Sequence, residues 1–211
     1  MTSQHTLLDL TAPTLTTDQL RLAIIRAKDD ALGGVCVLPG RAQTVRLMTA
    51  RSGLKVRTLV GYPTGVHAAS VKGLEARLAL QEGVDDIAVT PNVGYFLGGQ
   101  IDELHKELAY VAKAVREVDP QKARTAAVLI HADLLSSDQT AAFALAALEG
   151  GLRGLHLHYA APPTPDQVAG LLRRLSGLST TAGLVIHLPA GSGDAQAFLL
   201  EGVNYVVTTP A

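Results

Sequence analysis

Short apolar runs rich in β-branched residues alternate with helix-periodic stretches along the whole chain. The runs His5–Leu10, Gly34–Leu38, Val56–Tyr62, Asp86–Thr90, Thr125–Ala132, Gly154–Tyr159, Leu184–Leu188 and Tyr205–Thr209 read as strands. Several are entered by one kind of join: Glu82-Gly83-Val84, Glu149-Gly150-Gly151 and Glu201-Gly202-Val203. There a glycine ends a helix in a left-handed cap and the chain drops into the next strand.

Between the runs the apolar positions follow a helical period. Leu20, Ala23, Ile24, Ala27 and Ala31 fit the i, i+3, i+4, i+7 spacing, with Thr17 or Asp18 as the N-cap. Leu74, Leu78 and Gln81 mark a further helix, and Leu104, Leu108, Val111 and Val115 another. Ala141–Leu148, Val168–Leu175 and Ala195–Leu200 supply the later ones, the second introduced by the rigid Pro162-Pro163-Thr164-Pro165 loop with Thr164 as its cap. Eight strands with seven intervening helices and short loops predict an α/β fold, a (β/α)8 TIM barrel, as a single domain over residues 1–211.

The sequence ends at Ala211, directly after the eighth strand, so the C-terminal outer helix is expected to be missing. Strands one and eight would then expose an apolar seam, and such patches are usually interfaces. A homo- or hetero-oligomer that covers the seam is expected.

Composition narrows the function classes. The chain has 211 residues, 47% of them hydrophobic, which suffices for a full core. A net charge of −1 gives no basic stripe for nucleic acid. Residues Met1–Asp9 lack a signal-peptide pattern, and no run approaches the ~20 apolar residues that span a bilayer. One cysteine, Cys36, excludes an internal disulfide, and a cytoplasmic location is expected.

Particular motifs carry a resemblance. The segments His5-Thr6-Leu7-Leu8, Val35-Cys36-Val37-Leu38-Pro39 and Gly61-Tyr62-Pro63-Thr64-Gly65 occur in that order. Val71-Lys72 before Glu75-Ala76, Glu82-Gly83-Val84-Asp85-Asp86-Ile87 and Asn92-Val93-Gly94 follow them. Over nearly its whole length the chain resembles the deoxyribose-phosphate aldolase family. The resemblance implies a barrel whose strand-six lysine forms a Schiff base with the substrate. A strand-seven lysine lowers the first one's pKa, and a strand-four aspartate relays protons through water. A cation beside an amine, or desolvation of it, is what makes it nucleophilic near neutral pH.

That set is replaced here. Under the resemblance, the two lysine positions are held by His156 and His187, and the aspartate position by Ala88. The family's Glu-Thr pair on strand five becomes His131-Ala132, and its phosphate segment becomes Ala190-Gly191-Ser192-Gly193. The opening Asp-His-Thr reads Gln4-His5-Thr6, and the closing Thr-Ser-Ser-Gly reads Thr208-Thr209-Pro210-Ala211. No lysine occurs after Lys122. Lys72, near the start of the third helix, is the one conceivable substitute amine, and a solvated helix position is expected for it. An imidazole forms no stable imine, so class I aldolase activity is not expected.

The replacements raise other chemistry. His131, His156 and His187 fall on successive strands, and strand alternation turns His158 and Asp133 inward as well if those strands stay regular. Converging imidazoles with a carboxylate are a candidate site for zinc or a similar divalent metal, although no cofactor is the first expectation. Histidines left in a barrel mouth can equally hydrogen-bond one another and stay neutral. Gly191, Ser192 and Gly193 precede a helix and are candidate phosphate ligands through backbone N–H groups. His5, His67 and His105 read as structural or solvated.

Three functions follow. First is an aldolase-like barrel without the catalytic lysines, a pseudoenzyme that binds a small molecule or a partner. Second is a metal-assisted lyase or hydrolase acting on a small carbonyl compound or sugar phosphate through the histidines. Third is 2-deoxyribose-5-phosphate cleavage retained by another route.

Overall fold

The computed structural model describes residues 3–121, 125–175, 184–189, 192, 195–200 and 203–209. Eight strands close into one parallel barrel in sequence order, β1 pairing with both β2 and β8. They are β1 (Thr6–Leu10), β2 (Gly34–Val37), β3 (Lys55–Val60), β4 (Asp86–Val89), β5 (Thr125–His131), β6 (Gly154–His158), β7 (Leu184–Leu188) and β8 (Tyr205–Thr208). Every strand read from the sequence is present, each shifted by no more than two residues at an end. Outside lie α1 (Thr17–Asp29), α2 (Ala42–Met48), α3 (Ala69–Gln81), α4 (Val93–Leu97), α5 (Ile101–Val118), α6 (Ser137–Glu149), α7 (Pro165–Arg174) and α8 (Ala195–Leu200).

Side chains alternate between two cores. The larger lies between strands and helices and contains Leu10, Val35, Val37, Ile87, Val89, Ile130, Leu157 and Ile186. The smaller fills the barrel itself, with Leu7, Cys36, Leu59, Ala88, Ala127, Leu129, Val185 and Val207. The strands therefore read as nearly continuous apolar runs because both of their faces are buried.

The helix starts show how local sequence fixes these elements. α1 is capped by Thr16, one residue before the expected position, in a reciprocal box with Gln19. Ser136 with Gln139 and Thr164 with Gln167 close α6 and α7 in the same way. Gly83 and Gly151 have φ of +90° and +101°, the left-handed stops that the sequence pattern demands.

One helix faces the other way from its expected orientation. Leu74 and Leu78 of α3 are 54% and 49% exposed, while Lys72, Gly73, Ala76, Ala79 and Leu80 are buried. The buried face is made of small residues because α3 packs closely on α5. A Cβ on Gly73 would lie 2.7 Å from the Tyr110 ring.

The barrel floor is closed by polar groups. Arg57 Nη2 donates to Asp86 Oδ2 at 2.7 Å, and the Lys55 and Arg57 cations lie 5.7 and 5.8 Å from the centre of the Tyr205 ring. The His5 ring flanks Tyr205 at 5.5 Å, and its Nδ1 meets the Asn204 carbonyl at 2.9 Å. Beside β1, a groove of about 360 Å³ runs along Leu8, Leu10, Leu15, Leu22 and Ala23, so apolar surface is open at this edge of the expected seam. Among the described residues, no helix is long and apolar enough to cross a membrane.

Candidate active site

Strands β5, β6 and β7 bring four imidazoles together at the C-terminal mouth. His156 and His187 are 3% and 2% exposed, and His156 Nδ1 lies 3.0 Å from His187 Nε2. His158 sits one alternation further up β6, its ring centre 6.0 Å from that of His187 and 4.7 Å from that of His131. Tyr62 completes the row. Its ring stacks on His131 at 5.6 Å and its hydroxyl lies 3.3 Å from His158 Nε2. The expected convergence of His131, His156, His158 and His187 is therefore present.

All four imidazoles are held below the ordinary histidine range. Burial is the main cause for each, and it acts most strongly on His156 and His187, where the Arg57 cation and neighbouring histidines add to it. For His131, desolvation and His158 outweigh the Pro63 backbone and Asp133, which act in the opposite direction. For His158, desolvation outweighs Asp133. At neutral pH the row is uncharged, and each ring offers one donor and one acceptor nitrogen.

Asp133 does not join the row as expected. β5 stops at His131 and the chain turns into a short 3-10 segment, Ala132–Leu134, so alternation fails there. The Asp133 carboxylate instead accepts from the Ala160 N–H and lines a pocket of about 280 Å³ between the loops that follow β5 and β6. Tyr159 lines the same pocket, and its phenol is pushed up to about 12 by burial and by Asp133.

As placed, these side chains do not fit a three-ligand metal site. His156 and His187 direct facing nitrogens at each other, and Asp133 is turned to the backbone. Among the described residues no three His, Cys, Asp or Glu side chains are grouped to hold a metal ion. Ala88 is buried in the inner core and presents no functional group. Of the candidate phosphate ligands, Gly191 and Gly193 lie outside the described residues. The Ser192 hydroxyl donates to the Pro189 carbonyl at 2.6 Å.

Lys72 is not solvated, contrary to expectation. It is 0% exposed, pairs with Glu107 Oε1 at 2.8 Å and donates to the Gly65 carbonyl. Desolvation lowers its pKa, and the Glu107 hydrogen bond and charge work against that. Glu107 also accepts from the Asn92 N–H at 3.2 Å, and Glu75 accepts from the Gly61 N–H at 2.6 Å. The amine thus pins α3, α5 and two loops together outside the row of histidines.

Several site groups escape a reading of the sequence alone. Asp9, two residues past inward-facing Leu7, accepts from the Thr11 N–H at 2.9 Å, and burial raises its pKa. Its charge helps burial to raise the Tyr62 phenol and the Cys36 thiol. Arg57 lies inside the barrel and acts on both buried histidines. Counting inward positions by twos from Leu7 and Leu59 finds Asp9 and Arg57.

A closed parallel barrel with four imidazoles gathered at its C-terminal mouth has the architecture of a (β/α)8 barrel protein. Comparison with known proteins agrees. The chain is 32% identical over 147 residues to a deoxyribose-phosphate aldolase of Thermus thermophilus, a match covering 70% of this chain and 63% of that one. It is 28% identical to the deoxyribose-phosphate aldolase of Deinococcus radiodurans over 97% of this chain and 90% of the relative. The first of these matches spans less than two thirds of the relative's length. No family model matches the chain. Among solved structures, the aldolase QR15 superposes with a TM-score of 0.80 at 17% identity, covering 98% of this chain and 90% of its own. A deoxyribose phosphate aldolase from Aeropyrum pernix, described as tetrameric, gives 0.77 at 18% identity over 98% of this chain and 86% of that one. The resemblance seen in the motifs thus holds: these curated relatives are deoxyribose-phosphate aldolases, and these structural neighbours are aldolases.

Proposed function

We propose that this chain is a deoxyribose-phosphate aldolase-like barrel that binds a small molecule at its mouth without Schiff-base chemistry. The observation that carries the reading is the His156–His187 pair. Two buried, neutral imidazoles bonded to each other occupy the strand positions where the resemblance implies lysines. The described lysine nearest the family's pattern, Lys72, is committed to Glu107 and Gly65. The test is borohydride reduction in the presence of acetaldehyde or 2-deoxyribose 5-phosphate, read by intact mass. The expected result is an unchanged mass. A stoichiometric adduct on one lysine would overturn the reading and restore retained aldol cleavage.

A second reading, histidine-centred acid–base catalysis on a carbonyl compound, is favoured by the same neutral row. An imidazole that stays uncharged at pH 7 can take or give a proton at a bound oxygen. It would show as turnover abolished by His158→Gln with binding retained.

Association is also part of the proposal. The exposed Val71, Leu74 and Leu78 on α3 and the groove beside β1 are apolar surfaces that another subunit could cover. Light scattering at micromolar concentration is expected to give more than the 22.0 kDa of one chain, and a monomer would remove this part.

A further inference from the structure

Four buried polar atoms at the mouth have no protein partner, and each belongs to a different strand. They are Thr90 Oγ1 just after β4, His131 Nε2 at the end of β5, His158 Nδ1 at the end of β6 and Thr209 Oγ1 just after β8. Alternation within β5 and β6 sets the two histidines on the inward face, and carried one residue past β4 and β8 it sets the two threonines there. Ala88, Leu129 and Val207, two residues before three of them, line the inner core, and His156, two before His158, meets His187. An unpaired buried polar group costs about 1–3 kcal/mol, and native proteins keep few of them. Four around one opening mark a place where a hydrogen-bonding ligand is received.

Among the described residues, no Lys or Arg beside this opening is free to hold an anion. The described residues that follow the strands toward the opening, 11–16, 38–41, 61–68, 90–100, 132–136, 159–164, 189, 192 and 209, include one Lys or Arg, Arg41. Arg41 is already committed to four carbonyls of the β1–α1 connection, those of Leu10, Ala12, Pro13 and Leu15, at 2.7 to 3.4 Å. Arg57 lies deeper, at the barrel floor, where Nη2 pairs with Asp86 and Nε and Nη1 have no partner. Four helix starts are closed too, while α2 has no side-chain cap and residues 193–194 before α8 lie outside the described residues. α1, α6 and α7 carry capping boxes, and Asn92 caps α4 by accepting from the Gly94 N–H. α3 lacks a side-chain cap, but the Glu75 and Glu107 carboxylates bond the adjoining loops and oppose a second negative charge there.

We propose that the mouth takes a small neutral compound rich in hydroxyl or carbonyl groups and discriminates against the phosphorylated form of the same compound. The proposal rests on the small-molecule-binding reading above. Neutral donors and acceptors on four strands match a polyol or hydroxy-carbonyl compound. A phosphate would arrive with its charge uncompensated, and burying an unpaired charge is far costlier than burying a hydroxyl.

The test titrates the intact chain with 2-deoxyribose and dihydroxyacetone, then with 2-deoxyribose 5-phosphate and dihydroxyacetone phosphate, following the imidazole 1H–15N signals. The expected result is saturable shifts at His131 and His158 with the neutral compounds. Each phosphorylated partner is expected to bind at least about tenfold more weakly, or ~1.4 kcal/mol. Inorganic phosphate should not compete. Thr90→Val and Thr209→Val should each weaken neutral binding by about three- to tenfold, the worth of one hydrogen bond, without lowering the melting temperature. Equal or tighter binding of the phosphorylated compounds would overturn the proposal, as would imidazole signals that no neutral compound moves. Full affinity in both valine variants would overturn it too. A borohydride adduct would sink the earlier reading and leave this charge preference standing; a preference for phosphate would do the reverse.

Discussion

His156 Nδ1 and His187 Nε2 face each other at 3.0 Å inside the barrel, on adjacent strands, with almost no access to solvent. One ring must donate and the other accept, so one proton lies between the two nitrogens, and the bond is lost when both rings are charged. The pair is also an element of the core. Removing one ring leaves the other as a buried, unpartnered group beside a cavity. His187→Ala is expected to destabilise the fold by about 2–4 kcal/mol, the sum of an orphaned group and a lost packed side chain. His187→Gln, which keeps a hydrogen-bonding atom near the same place, should cost less. Urea denaturation of the two variants checks both values, and equal losses would mean that the bond contributes nothing beyond volume.

Acid should weaken the fold. The four mouth histidines titrate below the ordinary 6.5 in the folded chain, chiefly because burial disfavours their charged form. Above pH 6.5 both folded and unfolded chains hold them neutral, and stability is complete. As pH falls through 6.5 the unfolded chain takes up protons that the folded chain refuses, so stability declines. Asp9, with its raised pKa, works in the opposite sense, and the histidine contribution is therefore read by difference. Melting temperature between pH 7.5 and pH 5 should fall more steeply in the wild type than in His156→Gln/His187→Gln. Parallel curves would contradict this origin.

Lys72 should matter for folding and not for the mouth. Breaking a buried ion pair by removing one partner typically costs about 3–5 kcal/mol, because the other charge is left stranded. Lys72→Ala, which strands Glu107, is expected to lose that much in chemical denaturation. Lys72→Met/Glu107→Gln should recover most of it. Ligand shifts at His131 and His158 should be unchanged in the double variant, and their loss would place the amine within reach of the site.

Arg41 should control the β1–α1 connection. Its four carbonyl acceptors all lie between Leu10 and Leu15, so one guanidinium organises the whole turn. Arg41→Ala is expected to make this segment the first site of limited proteolysis, with the remaining chain intact. Arg41→Lys should protect only partly, because an ammonium cannot span four acceptors in a fixed fork. Unaltered cleavage in Arg41→Ala would show that the turn holds itself.

Much of this architecture is legible in the sequence because strands buried on both faces leave uninterrupted apolar runs, and Gly83 and Gly151 punctuate the helix-to-strand joins. Periodicity finds the correct face of α5, since Leu104, Leu108, Val111 and Val115 are all buried. It fails for α3. Leu74 and Leu78 lie on the open face, and the core face is built from Gly73, Ala76 and Ala79 with Leu80, so the spacing of those two leucines points outward. Lys72 is misplaced for the same reason, since a charged residue on that face is buried only because Glu107 waits on another helix. The histidine row follows from alternation along β5, β6 and β7, and alternation breaks at Asp133, where β5 gives way to a turn. Asp9, Tyr62 and Arg57 require the closed barrel, which brings residues from β1 and β3 into electrostatic contact with those on β6 and β7.

A neutral, hydrogen-bonded pair of imidazoles, His156 and His187, stands in the heart of the mouth. Long-range 1H–15N correlation of the histidine rings at pH 7 tests it most directly. His156 and His187 are each expected to show one protonated and one bare nitrogen, to keep these patterns to pH 5.5, and to change when the other residue is replaced. An imidazolium signature on either ring at pH 7, or two rings that titrate independently near 6.5, would contradict it.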